Sequence, residues 1–184
     1  AGAFFGGRKY MAYRKAQQEK ARRLAEARKI VTVMIPEGYS IDMMAKRLED
    51  QGVFKADEFI AAVKDTKQYN NKFIKDIPSK KGTKYKLEGY LYPDTYKIYK
   101  SSKPKDLIQK MLDNFDKKYS AVSKDYKGKH SMAEIMTIAS MIEREASNMS
   151  ERPMIAGVIE NRLAAKMRLQ IDPTVLYTTT NGLY

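Results

Sequence analysis

The sequence has no cysteine and a single histidine, His130, among its 184 residues. Without thiols there is no disulfide, no thiolate nucleophile and no thiolate metal site. With one imidazole a zinc centre would rest mainly on carboxylates, which is rare. The expectation is of no metal and no other cofactor. A Ser-His-Asp triad could take only His130 as its base, and no G-x-S-x-G elbow accompanies it. No run approaches the roughly 18 apolar residues of a transmembrane helix. The absence of cysteine leaves the compartment open, because reducing and oxidising surroundings both tolerate it. What remains as the reactive group is a buried carboxylate.

The chain is 43% hydrophobic and 31% charged, enough for a core, at a length of one domain or of a domain with an appendage. Its net charge of +13 is uneven. Nine Lys/Arg among the first 30 residues, against Glu19 and Glu26, put +7 of it there. Such a segment suits a polyanion, whether anionic lipid, acidic cell-wall polymer or nucleic acid, and equally suits a solvated charged helix. The opening AGAFFGG, followed by basic residues, reads as the trailing end of a membrane helix, a tag scar or a frayed terminus.

Residues 10–29 are good helix formers with little apolar face, which predicts an exposed helix or linker. IVTVMI at residues 30–35 reads as a buried strand. Ser40 is placed to cap a helix that carries Ile41, Met44, Ala45 and Leu48 inward and stops at Gly52. A second helix starts near Ala56. Residues 79–86 form a polar, basic loop. LEGYLYPDTYKIY follows, where Tyr90, Tyr92, Tyr96 and Tyr99 either line a sugar-binding groove or belong to a strand pair. Pro104 opens an amphipathic helix, Ser131 and Glu134 form a capping box for the next, and Ser150 caps a third with Ile155, Val158, Ile159 and Leu163 inward. Residues 168–177 look extended, turning at Asp172-Pro173.

On the helix opened by Ser131, the 100° repeat gathers Met132, Ile135, Ala139, Ile142 and Ala146 on one face. Glu143 and Glu145 border that face from opposite edges, and Arg144 points to solvent. Burial beside such a stripe raises a carboxyl pKa and suits it to donate a proton near neutrality. Edge glutamates are also common in surface ion pairs. Glu151, Asn161, Arg162, Gln170 and Asp172 follow, as groove residues for a polyhydroxylated ligand or as caps and loop fasteners.

The motifs Glu88-Gly-Tyr-Leu-Tyr-Pro93-Asp94-Thr95-Tyr96, Ala139-Ser-Met-Ile-Glu143-Arg-Glu145, Glu151-Arg152, Ala156-Gly-Val, Asn161-Arg162-Leu163 and Leu169-Gln170-Ile-Asp172-Pro173-Thr174-Val175-Leu-Tyr177 occur in order. With them the sequence resembles the endolytic murein (peptidoglycan lytic) transglycosylase, or YceG-like, family over residues 31–177. Departures are Lys166 where the family usually has Gly, Ile171 where Ser or Thr is usual, and a poorly matching TTTNGLY end. The resemblance implies a single-pass bacterial membrane protein with an extracytoplasmic catalytic region that cuts peptidoglycan internally. It makes Glu145 catalytic, with Glu88, Tyr92, Asp94, Glu143, Glu151, Asn161, Arg162, Gln170 and Asp172 binding or supporting substrate. Partners would be peptidoglycan glycan strands, an anionic lipid or cell-wall polymer at the basic segment, and cell-wall synthesis proteins.

The expected fold is α+β. Residues 1–29 are a basic helix or linker, possessing the character of a membrane exit. Residues 30–78 form a small strand-helix, LysM-like module, and residues 79–184 a mixed catalytic domain, cut short at its end, with a helical active-site region. The competing reading is a truncated, non-catalytic glycan-binding module. A nucleic-acid-binding protein is the remote alternative, since no recognition motif accompanies the charge.

Overall fold

A computed structural model describes residues 2–79, 83–172 and 174. Part of the loop expected at residues 79–86, Pro173, the motif residues 175–177 and the side chains of AGAFFGG lie outside the described residues. Among the described residues the architecture is α+β, helix-rich with one two-stranded antiparallel sheet.

Helix α1 (Gly2–Ala27) starts earlier than composition suggested, and its side chains from residue 9 to residue 25 are all exposed. It feeds strand β1 (Ile30–Met34), which pairs with β2 (Thr95–Tyr99) in the register Val31↔Ile98 and Val33↔Tyr96. The pairing continues through Ile35 N–H, which donates to the Asp94 carbonyl at 3.0 Å. β1 is not the fully buried strand its composition predicted. Only Val33 of it is buried, because a two-stranded sheet has one covered face and alternate side chains must face water.

Helix α2 (Ile41–Asp50) is capped as expected by Ser40, whose hydroxyl accepts from Met43 N–H at 3.3 Å, and Gly52 ends it at φ +65°. Ile41, Met44, Ala45 and Leu48 face inward against α3 (Ala56–Lys64), which contributes Phe59 and Val63. Two short 3-10 turns, Thr66–Gln68 and Lys72–Asp76, lead toward the Tyr-rich segment. That segment is no strand pair of its own. Residues 86–90 turn, with Gly89 at φ +84°, and only Thr95–Tyr99 is strand. Tyr90 packs edge-on to Phe115 at 5.3 Å, and Phe115 lies 5.0 Å from Phe73. Tyr96 is buried too, its hydroxyl donating to the Tyr92 carbonyl at 2.6 Å. Tyr90 and Tyr96 therefore belong to the core and not to a groove. Helix α4 (Pro104–Ser123) closes this body with Leu107, Ile108, Met111, Leu112 and Phe115. Its buried side chains form one cluster drawn from both sides of residue 78.

Helices α5 (Met132–Glu145) and α6 (Arg152–Ala164) pack on each other around a second, small cluster of Met141, Ile159 and Ile171. The Ser131–Glu134 capping box is formed as predicted. The expected apolar stripes are not. On α5 the buried side chain is Met141, and Ala139 is exposed. On α6 only Ile159 is buried, while Val158 and Leu163 are 47% and 41% exposed, because α6 leans on α5 along a narrow line. Glu151, not Ser150, is the residue at the α6 N-cap.

Candidate active site

Glu145 is the last residue of α5, and its side chain is exposed. Glu143, two residues back, is exposed as well, and among the described residues neither carboxylate takes a hydrogen bond or an ion pair. The desolvated edge that the sequence pattern predicted for them is absent here, since the stripe beside them is itself only half-buried. The helix ends at Glu145 because Ala146 turns to extended backbone, its N–H still bonded to the Ile142 carbonyl at 2.9 Å.

The connection that follows is held closely. Glu151 accepts from Ser147 N–H at 2.9 Å and from the Asn148 amide at 2.8 Å. Asn148 Oδ1 in turn accepts from the N–H groups of Ser150 and Glu151. Glu151 is thus spent on fixing the α5–α6 turn beside Glu145. The turn after α6 is fastened in the same way, with Arg162 donating to the Leu169 carbonyl. Two residues of that stretch sit in the left-handed region, Lys166 at φ 54° and Gln170 at φ 52°. Left-handed backbone is costly for anything but Gly, which explains why Gly suits position 166. The Gln170 side chain is exposed, as are those of Asn161 and Asp172. Asn161 does not lie on a buried face, as its neighbours Val158 and Leu163 do not either.

Tyr92 and Asp94 belong to another neighbourhood. Asp94 accepts from Thr95 N–H at 2.7 Å and from the Asn114 amide of α4 at 2.9 Å, bonds that hold its carboxyl below the usual range. Lys118, also on α4, places its ammonium 5.8 Å from the centre of the Tyr92 ring, which is half-buried.

Glu88 is the carboxylate that burial does affect. It is half-buried and accepts from Ile41 N–H at 3.0 Å, completing the N-terminus of α2. Loss of water pushes its carboxyl up to about 7, against the opposing pull of that hydrogen bond and of Lys84 and Arg144. Arg144 does not simply face solvent, as the helical repeat suggested. Its Nη2 donates to the Gly38 carbonyl at 3.0 Å, joining α5 to the turn before α2. His130 is likewise engaged, with Nε2 at 2.9 Å from Glu160 Oε1, so the lone imidazole ties the approach of α5 to α6. Arg144, Asn114, Asn148 and Glu160 carry no signal in their spacing that reveals these partners.

The model of the YceG-like family matches residues 8–183, a wider stretch than residues 31–177 covered by the motifs. An endolytic murein transglycosylase of Streptococcus pneumoniae is 38% identical, over 80% of this chain and 29% of the relative. One of Bacillus subtilis is 33% identical, over 79% of this chain and 42% of the relative. The crystal structure of a yceG-like protein from Listeria monocytogenes superposes with a TM-score of 0.69 at 31% identity, over 90% of this chain and 57% of that one. The chain spans less than half the length of these curated relatives.

Proposed function

The chain belongs to the YceG-like family, and on that premise we propose that it cleaves peptidoglycan glycan strands as an endolytic lytic transglycosylase, with Glu145 as acid and then base. The observation that carries the reading is the position of Glu145 on the final residue of α5, open to solvent, with a tightly bonded turn behind it. A strand can approach that carboxyl from outside, and the turn limits its wandering.

Protonated Glu145 donates to the glycosidic oxygen between N-acetylmuramic acid and N-acetylglucosamine, and the bond breaks through an oxocarbenium-like transition state. The resulting carboxylate takes the proton of the muramyl C6 hydroxyl, whose oxygen attacks C1 and closes a 1,6-anhydro ring. One carboxylate serves both steps because the internal hydroxyl replaces water. The exposed amides of Asn161 and Gln170 suit sugar hydroxyl and N-acetyl groups, and the accessible part of the Tyr92 ring suits a sugar face. Glu143 and Asp172 offer further acceptors. Glu88, Asp94, Glu151 and Arg162 support the site through the backbone they hold.

We place the catalytic region outside the cytoplasmic membrane. No helix among the described residues is long and apolar enough to cross a membrane. The exposed, basic α1 suits an anionic lipid surface or an acidic wall polymer.

Incubation with purified peptidoglycan, followed by mass spectrometry, tests the reading. Anhydromuramyl ends are expected from the wild type and not from Glu145→Gln. Binding without such ends would assign a glycan-binding module. Anhydro ends from Glu145→Gln would place the acid elsewhere.

A further inference from the structure

We propose that Arg144 is a positioning residue: by holding the Gly38 carbonyl it fixes the rotation of α5 and so the direction in which Glu145 is presented, with Glu88 as the charged group beside it. This rests on the reading of Glu145 as the proton donor.

The α5–α6 pair meets the body through few apolar groups. Met132 and Met136 are the α5 side chains packed against the main cluster, and both lie in its first half. Methionine is unbranched and adaptable, so two of them hold an axis loosely. Arg144 lies 12 residues beyond Met132, about 18 Å along the helix at 1.5 Å per residue. The bond from its Nη2 to Gly38, at 3.0 Å, ties that far end to the body. Its acceptor is well fixed. Gly38 adopts φ +73°, and two residues on the backbone is pinned by the Ser40 cap and by Glu88 accepting from Ile41 N–H.

Successive side chains of a helix diverge by about 100°. With Arg144 bonded to Gly38, the repeat turns Glu145 to the side opposite Met136, away from the body, and leaves Glu143 on the side of Met132 and Met136, so a rotation of α5 that redirects Glu145 must break the Gly38 bond. The charged groups acting on Glu88 are Asp42 from α2, Lys84 from the preceding loop and Arg144 from α5. Lys84 is bonded to Asp42 at 2.6 Å, and Asp42 also accepts from the Tyr85 hydroxyl at 2.7 Å. Ionised Glu88, which accepts from Ile41 N–H three residues after the carbonyl that Arg144 holds, therefore adds negative charge close to that contact, and loss of water raises its carboxyl toward neutrality.

The test uses the full chain with glycan strands as substrate, and the variants Arg144→Ala, Arg144→Lys and Glu88→Gln. Arg144→Ala is expected to lower kcat about ten- to a hundredfold, the loss typical of a small misplacement, with KM within about twofold. Amide exchange should quicken in the last turn of α5 and stay unchanged in α2 and α4. Arg144→Lys should recover much of kcat, since an ammonium can still reach the carbonyl. Glu88→Gln should remove an inflection near pH 7 from the kcat profile. Full kcat in Arg144→Ala, or a loss accompanied by faster exchange across the whole body, would overturn the proposal, as would a Glu88→Gln profile that superposes on the wild type. If Glu145→Gln were active, the acid assignment would fall, while the exchange result would still decide whether Arg144 holds the helix.

Discussion

The body of β1, β2 and α2–α4 and the α5–α6 pair are built on different scales. Among the described residues the body's cluster holds 23 buried side chains and the pair's holds three. At roughly 25 cal/mol per Å² of buried apolar surface, the first is a cooperative core and the second is held largely by its neighbours and its polar fastenings. A carboxylate proposed as a proton donor is commonly sought in the most rigid part of a fold. Here Glu145 sits on the thinly packed part, and its surroundings are ordered by Glu151, Asn148, Arg162 and Arg144 instead of by burial. Local opening of such elements requires less free energy than global unfolding.

The contrast can be tested from its strongest consequence downward. Glu145→Gln should reduce formation of anhydromuramyl ends by at least about 10²–10⁴-fold, the usual contribution of general acid–base catalysis. Its urea midpoint should equal that of the wild type, because an exposed side chain with no partner among the described residues is being changed. Leu112→Ala, at a fully buried site of α4, should cost about 2–5 kcal/mol in urea unfolding followed by circular dichroism. Ile159→Ala removes an equally buried side chain from the small cluster. It should cost the global transition less than about 1 kcal/mol, yet speed amide exchange in α5 and α6 about tenfold or more. Equal costs for the two substitutions would show one cooperative unit and end the contrast.

A third comparison uses pH. The Glu88 carboxyl is raised in the folded state from the ordinary 4.5 to about 7, so protons are bound more tightly by the fold than by the unfolded chain. Its contribution to stability is then full below pH 4.5 and is lost as pH rises through 7. The loss should reach no more than about 3.5 kcal/mol, each pKa unit being worth about 1.4 kcal/mol. Glu88→Gln should flatten that part of the stability profile and be the more stable protein at pH 8. The smallest effect is expected from Lys166→Gly. Relief of left-handed backbone, less the added freedom of the unfolded chain, should raise stability by about 0.5–1 kcal/mol, confined to exchange in the α5–α6 pair. A drop in thermal midpoint would mean that the Lys166 side chain contributes more than its backbone costs.

Local signals in the sequence proved sufficient for most helices. Ser40, the Ser131–Glu134 box and Pro104 mark their starts, and the stripe of α2 matches its buried face side chain for side chain. What depends on distant partners was not legible. The run at residues 30–35 looks like an interior strand until its single partner, more than 60 residues later, leaves one face open. Val158 and Leu163 look inward because periodicity records which residues share a face and says nothing of whether anything covers it. The candidate site divides in the same way. Motif order picks out Glu145, Glu151, Arg162 and Gln170. Only geometry shows that Glu151 and Arg162 are occupied with backbone, and that Asp94 faces Asn114.

Helix α1 has a mechanical consequence. At 1.5 Å per residue its 26 residues form a rod about 39 Å long. The rod is braced at its far end, where Lys100 bonds Glu26 at 2.7 Å and Ser101 bonds the Ala27 carbonyl at 2.9 Å. It therefore acts as a lever: a tilt of 10° at this joint carries the first turn through about 7 Å, by the same rise per residue. The first turn thus sweeps at a set radius from the sheet, over an arc limited by the Lys100–Glu26 and Ser101–Ala27 contacts.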